Sequence, residues 1–273
     1  MTILVTGSRG AVATSLITLL RERGVDVRPA SRMPADSSTV TCDLTDPATF
    51  AAALDGVTSV FLYATHDHAH AFAKEATAAG VEHVVLLSSS SVLSPSAADD
   101  PLAASHLHVE EALTSAPFRT TLLRPGSFAG NAKSWSWPIR AGRPVNLPYP
   151  GAHTDPIHEA DIAEAALAVL TDPALGGRPY HLTGPQSLTF AEQLNILARA
   201  TGLAITVNTV TREEWKAEMA DHIPARFADG LLDWWQSCDG VPAKLTRAVE
   251  ELTGHPARTF ATWATDHATD FTG

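Results

Sequence analysis

The chain is poor in cysteine, with Cys42 and Cys238 as the only two in 273 residues. Two isolated thiols cannot build a disulfide framework, and their positions lack the paired spacing of a zinc site. We therefore expect reduced structural cysteines and no metal centre. No apolar run approaches the length of a membrane span, and the first residues lack the basic segment and cleavage site of a signal peptide. These absences predict a cytoplasmic globular protein with no membrane partner.

Positive charge is also scarce, because 19 basic side chains against 30 acidic ones leave a formal net charge of −11. Proteins that bind nucleic acids need a basic footprint to displace counterions from phosphates, so the composition argues against DNA or RNA as a partner. Any anion site must then be built locally. A hydrophobic fraction of 45% and a charged fraction of 18% fit one large or two fused domains with a sizeable core.

Residues 2–13 combine a short apolar run with a glycine-punctuated turn. The run predicts a buried strand, and the glycines stand where the chain must turn sharply into a helix. Glycines let the backbone approach a pyrophosphate, and the free amides at a helix start bind the anion. This strand, turn and helix predict a dinucleotide cradle, with cofactor contacts at Gly7, Ser8, Arg9, Gly10, Ala11 and Val12.

The end of the second predicted strand indicates which dinucleotide is bound. NAD-binding chains commonly place an acidic residue there for the ribose 2′-hydroxyl, whereas an arginine suits the 2′-phosphate of NADP. Arg32 at this strand end, together with Arg9 in the glycine turn, favours NADP(H). The alternative is that Arg32 is one solvated charge at a strand end. The third strand leads to Asp43 and Leu44, which we expect near the adenine.

Strand and helix alternate four times in the first third of the chain, which predicts a parallel sheet with crossover helices. We expect an α/β fold: a Rossmann-type doubly wound parallel sheet with a smaller C-terminal α/β substrate-binding part. The NADP-binding core covers residues 1–130 and is completed by roughly residues 155–185. Residues 131–154 form a lid or entrance, and residues 186–273 form the smaller subdomain.

Several spaced motifs resemble the extended short-chain dehydrogenase/reductase superfamily: the glycine turn, Arg32, Asp43-Leu44, and Ser88-Ser89 after strand five. Residues 122–128, 156–163 and 180–185 resemble the NmrA-like atypical branch more narrowly. The resemblance covers essentially the whole chain. It implies a Rossmann fold that binds NADP(H), in a branch whose members are quinone or azo reductases, ketoreductases of aromatic natural products, or cofactor-sensing regulators.

The catalytic Tyr-x-x-x-Lys pair of that superfamily is absent from this chain. The corresponding positions fall on Leu102 and His106, and none of the three tyrosines has a lysine four residues later. We expect Ser90, after strand five, to face the substrate, and His106 to donate a proton or hold the nicotinamide ribose. A polar turn that satisfies its own backbone and an exposed helix histidine are the alternative interpretations.

Further cofactor contacts are expected where strands four, five and six end. Ala64 and Thr65 follow strand four, and Ser88 follows strand five. Pro125 and Gly126 follow strand six, where backbone groups would pass the nicotinamide carboxamide. These positions complete the predicted NADPH site at the carboxyl edge of the sheet.

Tryptophans in residues 131–154 and in the aromatic segment 227–235 indicate a cavity for a flat ring system, although they could instead fill a helical subdomain. The sequence therefore predicts an NADPH-dependent reductase that transfers hydride to a carbonyl or quinone of an aromatic, polycyclic, natural-product-like small molecule, as a monomer or homodimer. Two other functions remain open. They are a non-catalytic NADP(H)-sensing regulator, and an isomerase or cyclase that retains the cofactor fold.

Overall fold

The computed structural model describes residues 1–34 and 36–272. The strands are β1 (Thr2–Val5), β2 (Asp26–Ser31), β3 (Val40–Thr41), β4 (Ser59–Tyr63), β5 (His83–Leu87), β6 (Arg119–Pro125), β7 (Val145–Leu147), β8 (His153–Thr154), β9 (Pro179–Leu182), β10 (Leu188–Thr189) and β11 (Val207–Thr209). The helices are α1 (Ala11–Glu22), α2 (Phe50–Leu54), α3 (Ala69–Ala78), α4 (Pro101–Thr114), α5 (Ser136–Arg140), α6 (Glu159–Thr171), α7 (Phe190–Thr201), α8 (Arg212–Met219), α9 (Ala225–Cys238), α10 (Ala248–Thr253), α11 (Phe260–Asp266) and α12 (Thr269–Thr272).

The described residues divide into two compact units. The first comprises Met1–Pro125, Glu159–Leu182 and Ala248–Pro256, and the second comprises Gly126–His158, Thr183–Arg247 and Ala257–Gly273. None of the described helices is long and apolar enough to cross a membrane.

A parallel sheet organises the first unit. Its strand order is β3-β2-β1-β4-β5-β6-β9, and each neighbouring pair is parallel. α2, α3 and α4 pack in sequence on one another, while α1 packs against α6. This arrangement confirms the predicted Rossmann-type α/β fold.

The sheet forms because its central strands are apolar on both faces, as expected of parallel strands covered by helices. Ile3, Leu4 and Val5 of β1 are completely buried. Alternate residues of the strands join one core cluster, in which Leu4 and the neighbouring strands pack with Phe50 of α2 and Phe72 of α3. The rings of Phe50 and Phe72 meet edge to face with centroids 5.3 Å apart, so packing on this face is specific as well as apolar.

The second unit contains two small sheets and its own aromatic core. β10 pairs with β8 antiparallel, and β11 pairs with β7 parallel. α7 begins with a capping box in which Thr189 and Glu192 satisfy each other's backbone amides. Trp263 of α11 is fully buried and stacks on Phe260 with centroids 5.4 Å apart. The α/β character expected of the C-terminal part is therefore present.

His83 begins β5 and is a buried polar residue of the first unit. Its Nε2 lies 2.8 Å from Thr121 Oγ1, and that hydroxyl oxygen also accepts a 2.8 Å hydrogen bond from Gly177 N. Burial, and secondarily the positive charge of Arg119, lower the pKa of His83 from 6.5 to about 4. The fold therefore requires the neutral imidazole at this position.

We expect His83 to make the protein acid-sensitive. Between pH 6.5 and about 4 the unfolded chain binds a proton at His83 that the folded chain excludes, so stability falls as the pH drops through this window. The full loss is on the order of 3 kcal/mol. Urea unfolding against pH should show this loss in the wild type and not in His83→Gln, whereas His222→Gln, at an exposed histidine, should behave like the wild type. Parallel curves for the wild type and His83→Gln would contradict the prediction.

Candidate cofactor and active site

The carboxyl ends of β1, β2, β4, β5 and β6 share one edge of the sheet, because all these strands are parallel. Most residues expected to bind the cofactor follow these strand ends directly: Gly7, Ser8, Arg9, Gly10, Arg32, Ala64, Thr65 and Ser88. Pro125 itself ends β6. The structure thus brings residues that are far apart in the sequence to a common edge.

The glycine turn has the geometry of an anion cradle. Gly7 has a φ of +58°, which a residue with a side chain adopts only with strain. Gly10 N donates to Gly7 O at 2.8 Å, and Gly10 then adopts the extended N-cap conformation of α1. Ala11 and Val12 are the first residues of α1, so their backbone amides have no acceptor within the helix. This backbone fits the pyrophosphate of a dinucleotide.

Tyr63, the last residue of β4, packs against this turn, a contact that the sequence analysis did not identify. A Cβ built on Gly7 would lie 2.9 Å from Tyr63 Cδ2, and one built on Gly10 would lie 2.7 Å from the Tyr63 hydroxyl oxygen. The phenol therefore occupies space that the two glycines leave open. A tyrosine at the end of β4 gives no sequence signal for this contact, because only the β1–β4 pairing creates it.

Arg9 and Ser8 line a cavity of about 250 Å³ beside the glycine turn. Arg21 and Ser31 line the same cavity. Arg21 was missed at the sequence level, although its spacing from Thr18, also at the cavity, places both on one face of α1. The cavity therefore offers two guanidinium groups and serine and threonine hydroxyls, together with the carboxylate of Asp36.

Arg32 and Asp43 lie near each other at the ends of β2 and β3. Hydrogen bonds from Thr45, with a smaller contribution from the charge of Arg32, hold the pKa of Asp43 below its ordinary value. Asp43 Oδ1 accepts from Thr45 N at 3.0 Å. Leu44 packs against the core of the first unit, as does Ala64. Asp43 is therefore ionised and lies beside an arginine, and it holds its loop by accepting hydrogen bonds from Thr45.

Ser88 directs its hydroxyl into the protein. Ser88 Oγ donates to Glu110 Oε1 at 2.6 Å, and Arg124 Nε donates to the same oxygen at 2.9 Å. Arg124 Nη2 also contacts the second carboxylate oxygen, which makes the ion pair bidentate. Glu110 is buried, so the pair fixes the end of β5 against α4. The hydroxyl of Ser88 is engaged by this network, and sequence reasoning had not assigned Glu110 a role.

His106 and the serines after β5 carry uncommitted polar atoms. His106 Nδ1 and Ser91 Oγ are buried and have no hydrogen-bond partner among residues 1–34 and 36–272. Ser90 begins the short 3-10 turn Ser90–Leu93, which Ser89 caps by accepting from Ser91 N at 3.2 Å. Such buried atoms cost free energy unless a ligand or water binds them. They make this part of the edge a candidate binding site.

Burial sets the protonation state of His106. Loss of hydration lowers its pKa below 6.5, and the negative charge of Glu110, one helical turn later, opposes this only in part. The imidazole is therefore mainly neutral at neutral pH. A neutral ring both donates and accepts hydrogen bonds, which suits the ribose-holding role better than the proton-donor role among the two expected for His106.

In the second unit, Gly126 contacts the side chain of Asp155. A Cβ built on Gly126 would overlap the Asp155 carboxyl group, so only glycine fits there. Asp155 Oδ1 accepts from Ser127 N at 2.9 Å. Burial raises the pKa of Asp155 from 3.8 to about 6, while the Ser127 amide opposes that rise. Asp155 thus holds the turn that follows Pro125, and no local sequence pattern had marked it.

The aromatic residues of the second unit differ in their exposure. Trp215 and Trp263 are buried in its cores, in agreement with the alternative that tryptophans fill a helical subdomain. Trp137 and Trp234 are exposed to 58% and 42%, and Phe227 on α9 is exposed to 43%. These three exposed rings can contact a ligand without unpacking the unit, whereas Trp135 and Trp235 are half-buried against its core.

Comparisons with known proteins identify the family and the class of cofactor. A family model described as NAD(P)H-binding matches residues 7–173. A (4-alkanoyl-5-oxo-2,5-dihydrofuran-3-yl)methyl phosphate reductase from Streptomyces griseus subsp. griseus is 32% identical over 283 residues, covering 98% of this chain and 99% of its own. An NAD(P)H azoreductase from Xenophilus azovorans is 29% identical and covers 98% of this chain and 99% of its own.

Solved structures show the same fold. The triphenylmethane reductase of Citrobacter sp. superimposes with a TM-score of 0.83 at 20% identity, covering 98% of this chain and 99% of that one. An NADPH-dependent quinone oxidoreductase from Escherichia coli, solved in complex with NADPH, gives a TM-score of 0.82 at 22% identity, with coverage of 97% and 99%. At these identities the likeness establishes the fold alone.

We expect Asp155→Asn to gain stability relative to the wild type as the pH rises from 3.8 through about 6. The folded wild type resists ionisation at Asp155 in this window while the unfolded chain ionises freely, so the stability that comes from the raised pKa is present below 3.8 and is lost as the pH rises through about 6. Asparagine keeps an acceptor for Ser127 N but carries no charge.

Urea unfolding as a function of pH measures this difference. Asp221→Asn, at an exposed aspartate of the same unit, is the matched control and should run parallel to the wild type. A difference between Asp155→Asn and the wild type that stays constant over the window would contradict a buried, hard-to-ionise carboxyl group.

Proposed function

Because the chain belongs to the NAD(P)H-binding family and is an oxidoreductase, we propose that it is an NADPH-dependent reductase of carbonyl or quinone groups in aromatic small molecules. The observation that carries the proposal is the anion cradle at residues 7–12. It shares one sheet edge with polar atoms of His106 and Ser91 that have no hydrogen-bond partner in the described part of the chain. The protein works as a monomer or homodimer.

NADPH rather than NADH is favoured by the arginines in and beside the cavity at the glycine turn, which outnumber the carboxylate of Asp36 that also lines it. Arg9 and Arg21 line it, and Arg32 stands at the neighbouring strand end. Guanidinium groups bind phosphate oxygens through charge-assisted hydrogen bonds. Asp43 lies beyond β3 and not at the end of β2, where an acidic residue would select the free 2′-hydroxyl.

The nicotinamide cofactor, when bound, supplies the hydride. His106 would hold the ribose through its neutral imidazole, in the place of the lysine of typical superfamily members. Ser90 would donate a hydrogen bond to the acceptor oxygen, where negative charge develops during reduction. The proton that completes an alcohol or hydroquinone then comes from solvent or from an acidic hydroxyl of the substrate, since the superfamily's tyrosine position is Leu102.

The proposed substrate class rests on the exposed aromatic side chains and on the relatives. Trp137, Trp234 and Phe227 offer ring faces on which flat substrates stack. Relatives are named for the reduction of a furanone phosphate and of azo compounds, which are conjugated acceptors. We assign cofactor binding to residues 1–130 and 155–185, an entrance role to residues 131–154, and substrate binding to residues 186–273.

Loss of NADPH absorbance with a panel of aromatic ketones, quinones and azo dyes tests the reaction. For a ketone or quinone, we expect one equivalent of reduced product for each NADPH consumed. His106→Leu should raise KM for NADPH about tenfold, because a buried hydrogen bond to the ribose is lost. His108→Leu, at an exposed histidine of the same helix, is the control and should retain the wild-type KM.

Tight NADPH binding without turnover of any acceptor would overturn the reductase assignment and favour a cofactor-sensing protein. Product formation without net NADPH oxidation would instead identify an isomerase or cyclase. An unchanged KM in His106→Leu would remove this residue from the cofactor site.

We expect Arg9→Ala to reduce the preference for NADPH over NADH. Loss of a charge-assisted hydrogen bond to the 2′-phosphate should raise KM for NADPH roughly tenfold and leave KM for NADH nearly unchanged. The matched control is Arg23→Ala, because Arg23 is an exposed arginine at the end of α1 and does not line the cavity. Equal losses with both cofactors would place Arg9 away from the 2′-phosphate.

A further inference from the structure

Tyr63 ends β4 and packs its ring on the glycine turn. A side chain on Gly7 or Gly10 would collide with the ring or its hydroxyl, at 2.9 and 2.7 Å respectively. The residue is held from two sides: Tyr63 N donates to Thr6 Oγ1 at 3.0 Å, and its ring meets Phe61 edge to face with centroids 5.8 Å apart. The phenol therefore has a defined place against the cofactor cradle.

The hydroxyl of Tyr63 faces the first turn of α1. Burial raises the pKa of Tyr63, and the backbone amide of Ala13 opposes that rise through a hydrogen bond to the phenol oxygen. The phenol therefore keeps its proton at neutral pH. Because the amide of Ala13 uses only a lone pair of the oxygen, the O–H proton remains available to a second acceptor.

An anionic acceptor fits this position. Ala11 and Val12 present free amides at the same helix start, and the second glycine of such a turn is the point of closest approach to a pyrophosphate. Gly10 is that glycine here, and the space beside it is bounded by the Tyr63 hydroxyl. A phosphate oxygen at this point would be within reach of both the amides and the phenol.

We propose that Tyr63 is a cofactor ligand whose hydroxyl donates a hydrogen bond to the pyrophosphate of NADPH while its ring holds the glycine turn open. The inference rests on the dinucleotide binding in the proposed function and is independent of the acceptor that is reduced. It assigns to Tyr63 a role in binding, in contrast to the proton-donating role of the superfamily's catalytic tyrosine.

NADPH binding to Tyr63→Phe, followed by fluorescence without any acceptor, tests the proposal. The substitution removes only the hydroxyl, so Kd should rise about tenfold. The matched control is Tyr180→Phe. The Tyr180 hydroxyl donates to Leu175 O at 2.6 Å, so its loss should lower stability and leave Kd unchanged.

The outcomes separate the two assignments. Wild-type affinity, or tighter binding, in Tyr63→Phe would overturn the proposal, because the phenol would then only occupy space in the cradle. Failure of the wild type to bind NADPH would overturn both this proposal and the proposed function. Normal wild-type binding without turnover would overturn the proposed reduction alone.

Thermal unfolding of Gly10→Ala in two backgrounds tests the placement of the phenol independently. The added methyl group would meet the Tyr63 hydroxyl oxygen at 2.7 Å, so Gly10→Ala should cost less stability in Tyr63→Phe than in the wild type. Gly7→Ala is the comparison, since its φ of +58° strains any side chain in either background. Equal losses at Gly10 in both backgrounds would contradict the contact.

Discussion

Parallel strand pairing is the constraint on which the site depends. Val5 pairs with Phe61 on one side and Pro29 on the other, so the turns after β1, β2 and β4 emerge at the same edge. A slip of β4 by one residue would turn alternate side chains to the opposite face. It would move the Tyr63 ring off the glycine turn and break the bond between Tyr63 N and Thr6 Oγ1. Register and site geometry are therefore fixed by the same hydrogen bonds.

Buried polar groups secure the sheet at both of its edges. At the carboxyl edge, Glu110 binds Arg124 and Ser88, whereas at the amino edge His83 meets Thr121. A buried ion pair gains little over a well-packed apolar pair but is costly to break on one side only. These contacts therefore favour one arrangement of α4, β5 and β6 over near alternatives, and they fix the end of β5, near which we propose that His106 and Ser90 act.

The sequence predicts the sheet and the glycine turn because both depend on local sequence patterns. Apolar runs of strand length, and glycines at a strand-to-helix junction, need no knowledge of distant residues. Asp155 and Ser127 lie 28 positions apart, and Tyr63 meets Gly10 only through strand pairing, so neither contact has a local signal. The proximity of Glu110 to His106 could have been predicted, since Glu110 lies one helical turn later on the same helix. The lowered pKa of His106 could not have been predicted, because burial is a property of the folded chain.

Two glycines of the second unit differ in what excludes a side chain, and this difference bears on how related sequences can vary. The missing methyl group of Gly126 faces the side chain of Asp155, whereas that of Gly184 faces the backbone carbonyl of Pro156. A shorter residue at position 155 would make room at position 126, so these two positions are free to change together. No substitution removes a backbone carbonyl. Among homologues we therefore expect correlated variation at positions 126 and 155 and an invariant glycine at 184.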